Sequence, residues 1–394
     1  MLVSCPATQA TSATPGRGEG GGDGRHLHGL DLVRCFAAVG VGVFHLTWRY
    51  PPLAAVPPIG WVGVQIFFVL SGFVIAASTR RATPMAFAGK RFLRIYPAAW
   101  ACALIGIAVL TGLPGGAAVV GVDDAFGPQQ IASTLALFGN TFVVSAYWTL
   151  PIELAFYALV AAAMLVGREP LAWLARGLVL WSGLYLAVYG LWVLELLPVP
   201  WIELGYGKRN MLLLRHGHYF ALGILLWLAV GGAPRLRGWM AAAVALGVAE
   251  IACRAGEIVA KAGSGHTVAA VFTGAVLTWI AFCAAMVWSI RCDDRLPLGP
   301  VARRWLRTLG LMSYPFYLLH ESVGGSVMGW LVLHGCPPVP ALAAGLSATA
   351  AASGLVASTI EPALRGLLRE GARRLPALVR AGGRARLARD GSAP

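Results

Sequence analysis

The stretch LDLVRCFAAVGVGVFHLTW occupies residues 30–48, and as a helix it is long enough to cross a bilayer. Arg34 and His45 lie inside it, eleven residues apart. Eleven residues make about three helical turns and about 16 Å, so both side chains are on the same side of the helix. A guanidinium and an imidazole are costly inside hydrocarbon and by default mark a functional site, although a snorkelling arginine and an interfacial histidine are the structural alternative.

The rest of the chain is equally apolar. Of its 394 residues, 58% are hydrophobic and 12% are charged, whereas a soluble domain is about half apolar and about a quarter charged. The apolar segments are continuous and of spanning length. We therefore predict an all-α polytopic transmembrane helix bundle of about ten spans. The predicted spans are residues 30–48, 60–78, 95–113, 146–166, 172–195, 216–232, 238–253, 267–290, 310–334 and 339–360.

The positive charges predict the orientation of this bundle. If the spans alternate in direction, roughly four in five of the 31 lysines and arginines fall on one side, which the positive-inside rule makes cytoplasmic. This bias explains the net charge of +14 without any nucleic-acid partner. It predicts a multi-pass protein of the inner cell membrane with both termini in the cytoplasm. We expect a disordered cytoplasmic leader (1–28), one transmembrane domain (29–366) and a basic cytoplasmic tail (367–394).

A second motif, RFLRIYPAAW, opens the third predicted span at residues 91–100. Arg91 and Arg94 stand three residues apart and therefore share a helix face at the cytoplasmic rim. Paired guanidinium groups match phosphate oxygens well, although arginines before a span are also routine positive-inside residues.

Polar residues within later spans suggest a site in the bundle. Glu153, in YWTLPIELAFY (147–157), needs a partner inside the membrane. That partner is either a histidine that Glu153 would orient and make more basic, or an arginine such as Arg34 in a structural pair. In GLMSYPFYLLH (310–320), Ser313 and His320 contact either a polar ligand or neighbouring helices.

Small residues and cysteines predict packing rather than chemistry. Glycines recur in GWVGVQIFFVLSGF (60–73), where close helix packing is expected, and Ser71 is interpreted as an interhelical hydrogen-bonding residue. The seven cysteines form no CxxC pair and no cluster with histidine, so we predict no metal site.

Taken in order, these segments resemble the acyltransferase 3 family of integral-membrane acyltransferases, over about residues 28–366. The resemblance depends on the ordered set, since each segment alone is weak. The matching segments are LDLVRCFAAVGVGVFH (30–45), GVQIFFVLSGF (63–73), RFLRIYP (91–97), WTLPIELAFY (148–157), HYFALGILL (218–226), SYPFYLLH (313–320) and IEPALR (360–365).

The resemblance implies transfer of an acyl group, usually acetyl, from acyl-CoA to a hydroxyl. In the family signature, a basic residue and a histidine are separated by ten residues, as Arg34 and His45 are. The family's RxxR pair is matched by Arg91 and Arg94, and its WxLxxE element by Trp148, Leu150 and Glu153. Many members have Asp where this chain has Gln65, which removes one charge.

The residues and the resemblance together predict a mechanism. Acyl-CoA is the co-substrate, no cofactor is permanently bound, and Arg34, Arg91 and Arg94 bind the donor. His45 is the general base and Glu153 supports it. The predicted substrate-binding residues are Trp148, Ser313 and His320.

The sequence allows more than one acceptor and more than one class of activity. We expect a hydroxyl of a surface or exported polysaccharide as the acceptor; a small metabolite such as a macrolide is the alternative. From other classes, a transporter or flippase of a lipid-linked glycan is the main rival, and an inactive sensory relative is the second.

Overall fold

The computed structural model describes residues 27–374, apart from residues 81, 123–124, 140, 167–168, 198–209, 233–235, 263–264 and 294–297. Within these residues all regular secondary structure is helical, which confirms the predicted all-α class. The predicted leader, except residues 27 and 28, and the tail beyond residue 374 lie outside the described residues. The first part of that tail, up to residue 374, continues the last helix.

Thirteen α-helices are labelled here in chain order. They are α1 His28–Thr47, α2 Val62–Thr79, α3 Pro84–Gly112, α4 Gly116–Val119, α5 Pro128–Ala136, α6 Thr149–Ala163, α7 Pro170–Val193, α8 Gly217–Val230, α9 Arg237–Ala262, α10 Val268–Cys292, α11 Pro300–Leu319, α12 Ser326–Leu333 and α13 Pro338–Leu355. Two π-helical segments, His320–Gly325 and Val356–Ile360, follow α11 and α13 directly. A short 3₁₀ turn, Ser145–Trp148, leads into α6.

Seven of the helical stretches in the described chain are long and apolar enough to cross a membrane. They begin with α1, α2, α3, the turn before α6, α7, α10 and α13, and each overlaps a predicted span, although the third begins at residue 84 and the last continues to residue 374. The other three predicted spans are also helical, so the polytopic bundle is confirmed, whereas the count of ten remains a prediction. Of these three, α8 has 14 residues, α9 carries buried charge, and α11 begins with an arginine-rich turn.

Close contact between α2 and α8 places two site-bearing segments side by side. A Cβ atom on Gly72 would lie 2.1 Å from the carbonyl oxygen of Phe220, and one on Gly223 would lie 2.0 Å from that of Val69. The two backbones therefore touch, and only glycine fits at these positions. The close packing predicted for residues 60–73 is confirmed. Gln65 of α2 consequently lines the same cavity as His216, which directly precedes α8.

Helix α1 lies inside the bundle, where it packs against α2, α10 and α11. Its buried face includes Val33, Ala37, Val41 and Phe44, which follow the spacing of one helix face. Arg34 and His45 consequently border internal cavities rather than lipid. This placement favours the functional interpretation of both residues over the snorkelling alternative.

Candidate active site

The larger internal cavity has a volume of about 360 Å³ and is called here the arginine-lined cavity. Its walls come from α1, α2, α3, α6 and α11. Its charged lining residues are Asp31, Arg34, Arg91, Arg94, Glu153 and Arg307. The three arginines predicted to bind the donor are therefore brought together, although 57 residues separate Arg34 from Arg91 in the sequence. Four arginines against two carboxylates make this cavity cationic.

The arginines of this cavity differ in how they are held. Arg34 Nη1 lies 3.5 Å from Asp31 Oδ1, and Arg94 Nη1 lies 3.3 Å from Glu361 Oε1. Glu361 is also paired with Arg365. The buried Nε of Arg91, by contrast, has no hydrogen-bond partner among the described residues. An anionic group entering the cavity would therefore find an unused donor at Arg91.

Glu153 also lines the arginine-lined cavity. Its carboxylate accepts hydrogen bonds from Ser71 Oγ, at 3.0 Å, and from the Tyr157 hydroxyl. The interhelical hydrogen bond expected of Ser71 is thus present. The carboxylate beside His45, however, is that of Glu321, where the sequence analysis expected Glu153. The reason is the position of Glu153 along α6. Ala146 contacts Glu321, and Glu153 follows Ala146 by seven residues. Seven helical residues rise on the order of 10 Å, which places Glu153 well away from Glu321.

His45, His320 and Glu321 form a polar cluster at the far end of α1. His320 Nε2 lies 3.1 Å from His45 Nδ1, and His45 Nε2 lies 3.8 Å from Glu321 Oε1. The side chain of His45 is 20% exposed, whereas His320 is fully buried. Only His45 is therefore open to a substrate.

The hydrogen bonds of the two rings determine which nitrogen carries the proton when both are neutral. His320 Nδ1 lies 2.6 Å from the carbonyl oxygen of Tyr317, and a carbonyl oxygen can only accept, so Nδ1 is the protonated nitrogen. His320 Nε2 must then accept from Nδ1 of His45, which also lies 3.0 Å from the carbonyl oxygen of Val41. The lone pair of His45 is thereby left on Nε2, which faces Glu321. Imidazole with a free, oriented Nε2 lone pair is suited to general-base chemistry.

Glu321 is fixed by its other carboxylate oxygen. Oε2 accepts hydrogen bonds from Ser145 Oγ, at 2.5 Å, and from the backbone N–H of Ala146, at 3.1 Å. The opposite oxygen, Oε1, is left towards His45. A negative charge at that distance would stabilise the imidazolium that forms when His45 accepts a proton.

A smaller cavity, of about 50 Å³, is lined in part by His45 and is called here the His45 cavity. Its lining residues are Phe44, His45, Trp61, Val64, Gln65, Trp148, Arg215, His216, Glu250 and Arg254. Val64 lines both cavities, so the two spaces are separated there by little more than one side chain. His45 lines the small space, and the large cationic space lies beyond Val64.

The three residues predicted to bind substrate do not lie together: the two cavities contain one each, and the third lines neither. Trp148 lines the His45 cavity, and Ser313 lines the arginine-lined cavity with its hydroxyl bonded to the carbonyl of Gly310. His320 is not among the lining residues of either cavity; its side chain contacts His45 instead. The geometry thus gives His320 a positioning relation to His45 rather than the expected contact with substrate.

A family model described as an acyltransferase domain matches residues 27–358. The chain belongs to the acyltransferase 3 family. The resemblance inferred from the ordered segments is thereby confirmed.

Two relatives of this family member come from rhizobia. It is 28% identical over 200 residues to Nodulation protein 10 of Rhizobium leguminosarum bv. viciae, which covers 43% of this chain and 51% of the relative. It is 30% identical over 146 residues to Exopolysaccharide production protein ExoZ of Rhizobium meliloti (strain 1021), which covers 33% of this chain and 40% of the relative. The matches therefore span about half of these relatives or less. No solved structure matches the chain.

In this family member, the sequence motifs do not reveal the part played by Glu321. The available signal was a carboxylate directly after His320 in an apolar segment. What the sequence does not show is the π-helical segment His320–Gly325, which replaces the regular α-helical turn at this point. Such π-segments are rare and frequently lie at functional sites, because they change the direction of the side chains that they carry.

The same cluster also has the composition of a metal site, which the sequence analysis did not predict. One ligand atom from each of His45, His320 and Glu321 lies within 4.8 Å of the others. A ligating imidazole must present a lone pair to the metal, yet Nε2 of His320 is engaged with Nδ1 of His45 and both Nδ1 atoms face carbonyl oxygens. The hydrogen bonds as they stand favour a proton-handling cluster over a ligand set.

Proposed function

We propose that this protein is an acyl-CoA-dependent O-acyltransferase that moves an acyl group, with acetyl as the leading candidate, to a hydroxyl of a carbohydrate. The observation that carries the proposal is the position of His45, which lines the smaller cavity, is oriented by His320, and is close to Val64, the residue that also lines the cationic cavity. Membership of the acyltransferase 3 family supports the reaction class.

The arginine-lined cavity would receive the donor. Its four arginines suit the phosphate groups of acyl-CoA, and Arg91 has an unused buried donor for them. The arginine-rich beginnings of α3 and α11 border this cavity, so the positive-inside rule would place its entrance at the cytoplasm, where acyl-CoA is made. The thioester would then extend along the bundle towards His45.

His45 would act as the general base in a direct transfer. The acceptor oxygen attacks the thioester carbonyl carbon while Nε2 of His45 takes the hydroxyl proton. The carbon–sulfur bond then breaks, and the proton passes from His45 to the departing CoA sulfur. Glu321 stabilises the imidazolium between these steps, and His320 keeps the ring in the tautomer that presents Nε2. No acyl-enzyme is required.

A polysaccharide acceptor is supported by one relative alone, whose name assigns it to exopolysaccharide production. A macrolide or another small metabolite would use the same hydroxyl chemistry.

The test is a transfer assay with the purified full-length protein in detergent. Incubation with acetyl-CoA labelled in the acetyl group and a polysaccharide extract should release free CoA and label the polysaccharide through an alkali-sensitive ester. The transporter alternative predicts the reverse: no CoA release, together with movement of a lipid-linked glycan across proteoliposomes. Failure of labelled acetyl-CoA to bind the protein would overturn the proposed function.

A further inference from the structure

The mechanism leaves unused a buried polar network beside His45. Its centre is Glu250 of α9, which is fully buried. Glu250 accepts hydrogen bonds from Arg215 Nε at 2.7 Å, Tyr219 Oη at 2.9 Å and Gln65 Nε2 at 3.3 Å. Arg215 also donates to Glu257 at 2.8 Å. Of these residues, Gln65 of α2, Glu250 of α9 and Arg215 of the loop before α8 bring polar groups to one wall of the His45 cavity.

Several atoms of this wall have no hydrogen-bond partner among the described residues. They are Oε1 of Gln65, Nη2 of Arg215, Nδ1 of His216 and Nε1 of Trp61. All four side chains are more than nine-tenths buried, with exposed fractions of 4%, 7%, 5% and 3% in that order. All four residues line the His45 cavity. Buried polar atoms are almost always satisfied in native proteins, so a cluster of unsatisfied ones around a cavity indicates a polar ligand.

The chemistry of these atoms narrows the class of ligand. Gln65 offers an acceptor, Arg215 and Trp61 offer donors, and His216 offers either according to its tautomer. A hydroxyl group both donates and accepts, and it therefore complements such a mixed set. A phosphate or carboxylate does not, because the two arginines of the cavity, Arg215 and Arg254, are already balanced by Glu250 and Glu257.

The size of the cavity limits how much of the ligand enters. A volume of about 50 Å³ accommodates about four water-sized groups, since each requires about 10–15 Å³. This space fits neighbouring hydroxyls on one edge of a sugar ring and excludes the whole ring. The ring centroids of Trp148 and His216 lie 5.7 Å apart and provide flat walls against which the sugar carbons would pack.

We propose that the His45 cavity is the acceptor subsite, which holds the edge of an uncharged sugar so that one hydroxyl reaches His45. Gln65, Arg215, His216 and Trp61 bind the hydroxyls beside the reacting one. This inference rests on the proposed function, because it requires an acyl donor that reaches His45.

The experiment uses acetyl-CoA as donor and compares acceptors that differ in their neighbouring hydroxyls. Methyl α-glucoside, methyl α-galactoside and methyl α-mannoside offer several hydroxyls, and 1-propanol offers one. His216→Phe removes the unpartnered nitrogen and keeps an aromatic ring. His218→Phe is the matched control, since His218 is equally buried with both ring nitrogens unpartnered among the described residues, but it is not a lining residue of the cavity.

The wild-type protein should acetylate at least one glycoside at a lower KM than 1-propanol. His216→Phe should raise that glycoside KM about tenfold, as the loss of one or two hydrogen bonds does, without changing the KM for 1-propanol or the Kd for acetyl-CoA. His218→Phe should leave all three values within about twofold of wild type. Trp61→Phe is a second variant, should His216→Phe not fold, and we expect about a threefold rise in the glycoside KM.

Three results would overturn the acceptor assignment while leaving the proposed function intact. In the first, acetyl-CoA binds but none of the glycosides is acetylated. In the second, the wild type prefers 1-propanol or does not discriminate. In the third, the glycoside KM of both folded variants, His216→Phe and Trp61→Phe, equals that of the His218→Phe control. If acetyl-CoA does not bind to the wild type at all, the proposed function itself fails.

Discussion

The two cavities that meet near Val64 differ in size and in the charge of their walls. The arginine-lined cavity is large and carries more positive than negative side chains. The His45 cavity is small, its ionic groups are paired, and four of its buried polar atoms are unpartnered among the described residues. Excess positive charge favours an anionic ligand, whereas unsatisfied donors and acceptors favour a ligand whose hydrogen-bonding groups match them. Under the proposed function, this difference would direct a donor bearing phosphates to the larger cavity and an acceptor bearing hydroxyls to the cavity that His45 lines.

Replacing Glu321 should lower the catalytic rate more than any other carboxylate replacement near the two cavities. Glu321→Gln keeps the shape of the side chain and an oxygen for Ser145 and Ala146, but it removes the negative charge next to His45. We expect kcat to fall by about 10²-fold, because the imidazolium would lose its stabilising charge, while both substrate KM values change little.

Glu153→Gln is the comparison that decides which carboxylate serves His45. Glu153 is bonded to Ser71 and Tyr157 in the arginine-lined cavity, so its replacement should lower kcat much less than that of Glu321. Steady-state kinetics on both variants would measure this. A greater loss of kcat in Glu153→Gln than in Glu321→Gln would restore the partner predicted from sequence and contradict the geometry.

Replacing Arg91 should weaken the binding of acetyl-CoA and leave the binding of the acceptor unchanged. Arg91→Ala removes a guanidinium whose Nε is unpartnered among the described residues, so little of the protein's own bonding is lost. The Kd for acetyl-CoA should rise about tenfold, with the KM for the acceptor unchanged. Equilibrium binding of labelled acetyl-CoA would measure this, with Arg291→Ala, at an exposed position on α10, as the control. A rise in the acceptor KM instead would reverse the assignment of the two cavities.

Replacing Gly223 should lower the stability of the protein, because Gly223 lies where α2 and α8 pack most closely. A Cβ at this position would lie 2.0 Å from the carbonyl oxygen of Val69, so Gly223→Ala must push α8 away from α2. We expect a loss of about 1–3 kcal/mol, as in other overpacked cores, seen as a lower midpoint in a thermal size-exclusion assay. Gly238→Ala is the control, because a Cβ there has nothing within 4 Å. Equal midpoints for the two variants would show that the helices are not in the close contact described.

The sequence was sufficient for the helical bundle and for the three arginines that meet in the larger cavity. Helix-forming apolar runs are local features, and Arg34 with the Arg91 and Arg94 pair could be recognised from spacing. Their convergence on one cavity followed from the predicted cytoplasmic rim. The carboxylate partner of His45 could not be found in this way, because it depends on the π-helical segment at His320 and on how far Glu153 lies along α6.

The His45 cavity was harder still to predict. In the sequence, Gln65 stands out only as a departure from the family pattern, and no motif points to His216 as a ligand-binding residue. Their meeting with Arg215 and Glu250 depends on the contact of α2 with α8 and of α8 with α9, which are long-range packing relations. Single-residue patterns do not encode such relations.

The most direct test of this account is the catalytic rate of His45→Ala, measured as acceptor-dependent CoA release alongside the Kd for acetyl-CoA. His334→Ala, which removes an exposed histidine on the same protein, is the matched control. We expect a loss of about 10²–10⁴-fold in rate for His45→Ala, with the donor Kd within about twofold of wild type. A His45→Ala protein that binds acetyl-CoA and still works at more than about a tenth of the control rate would show that the base lies elsewhere.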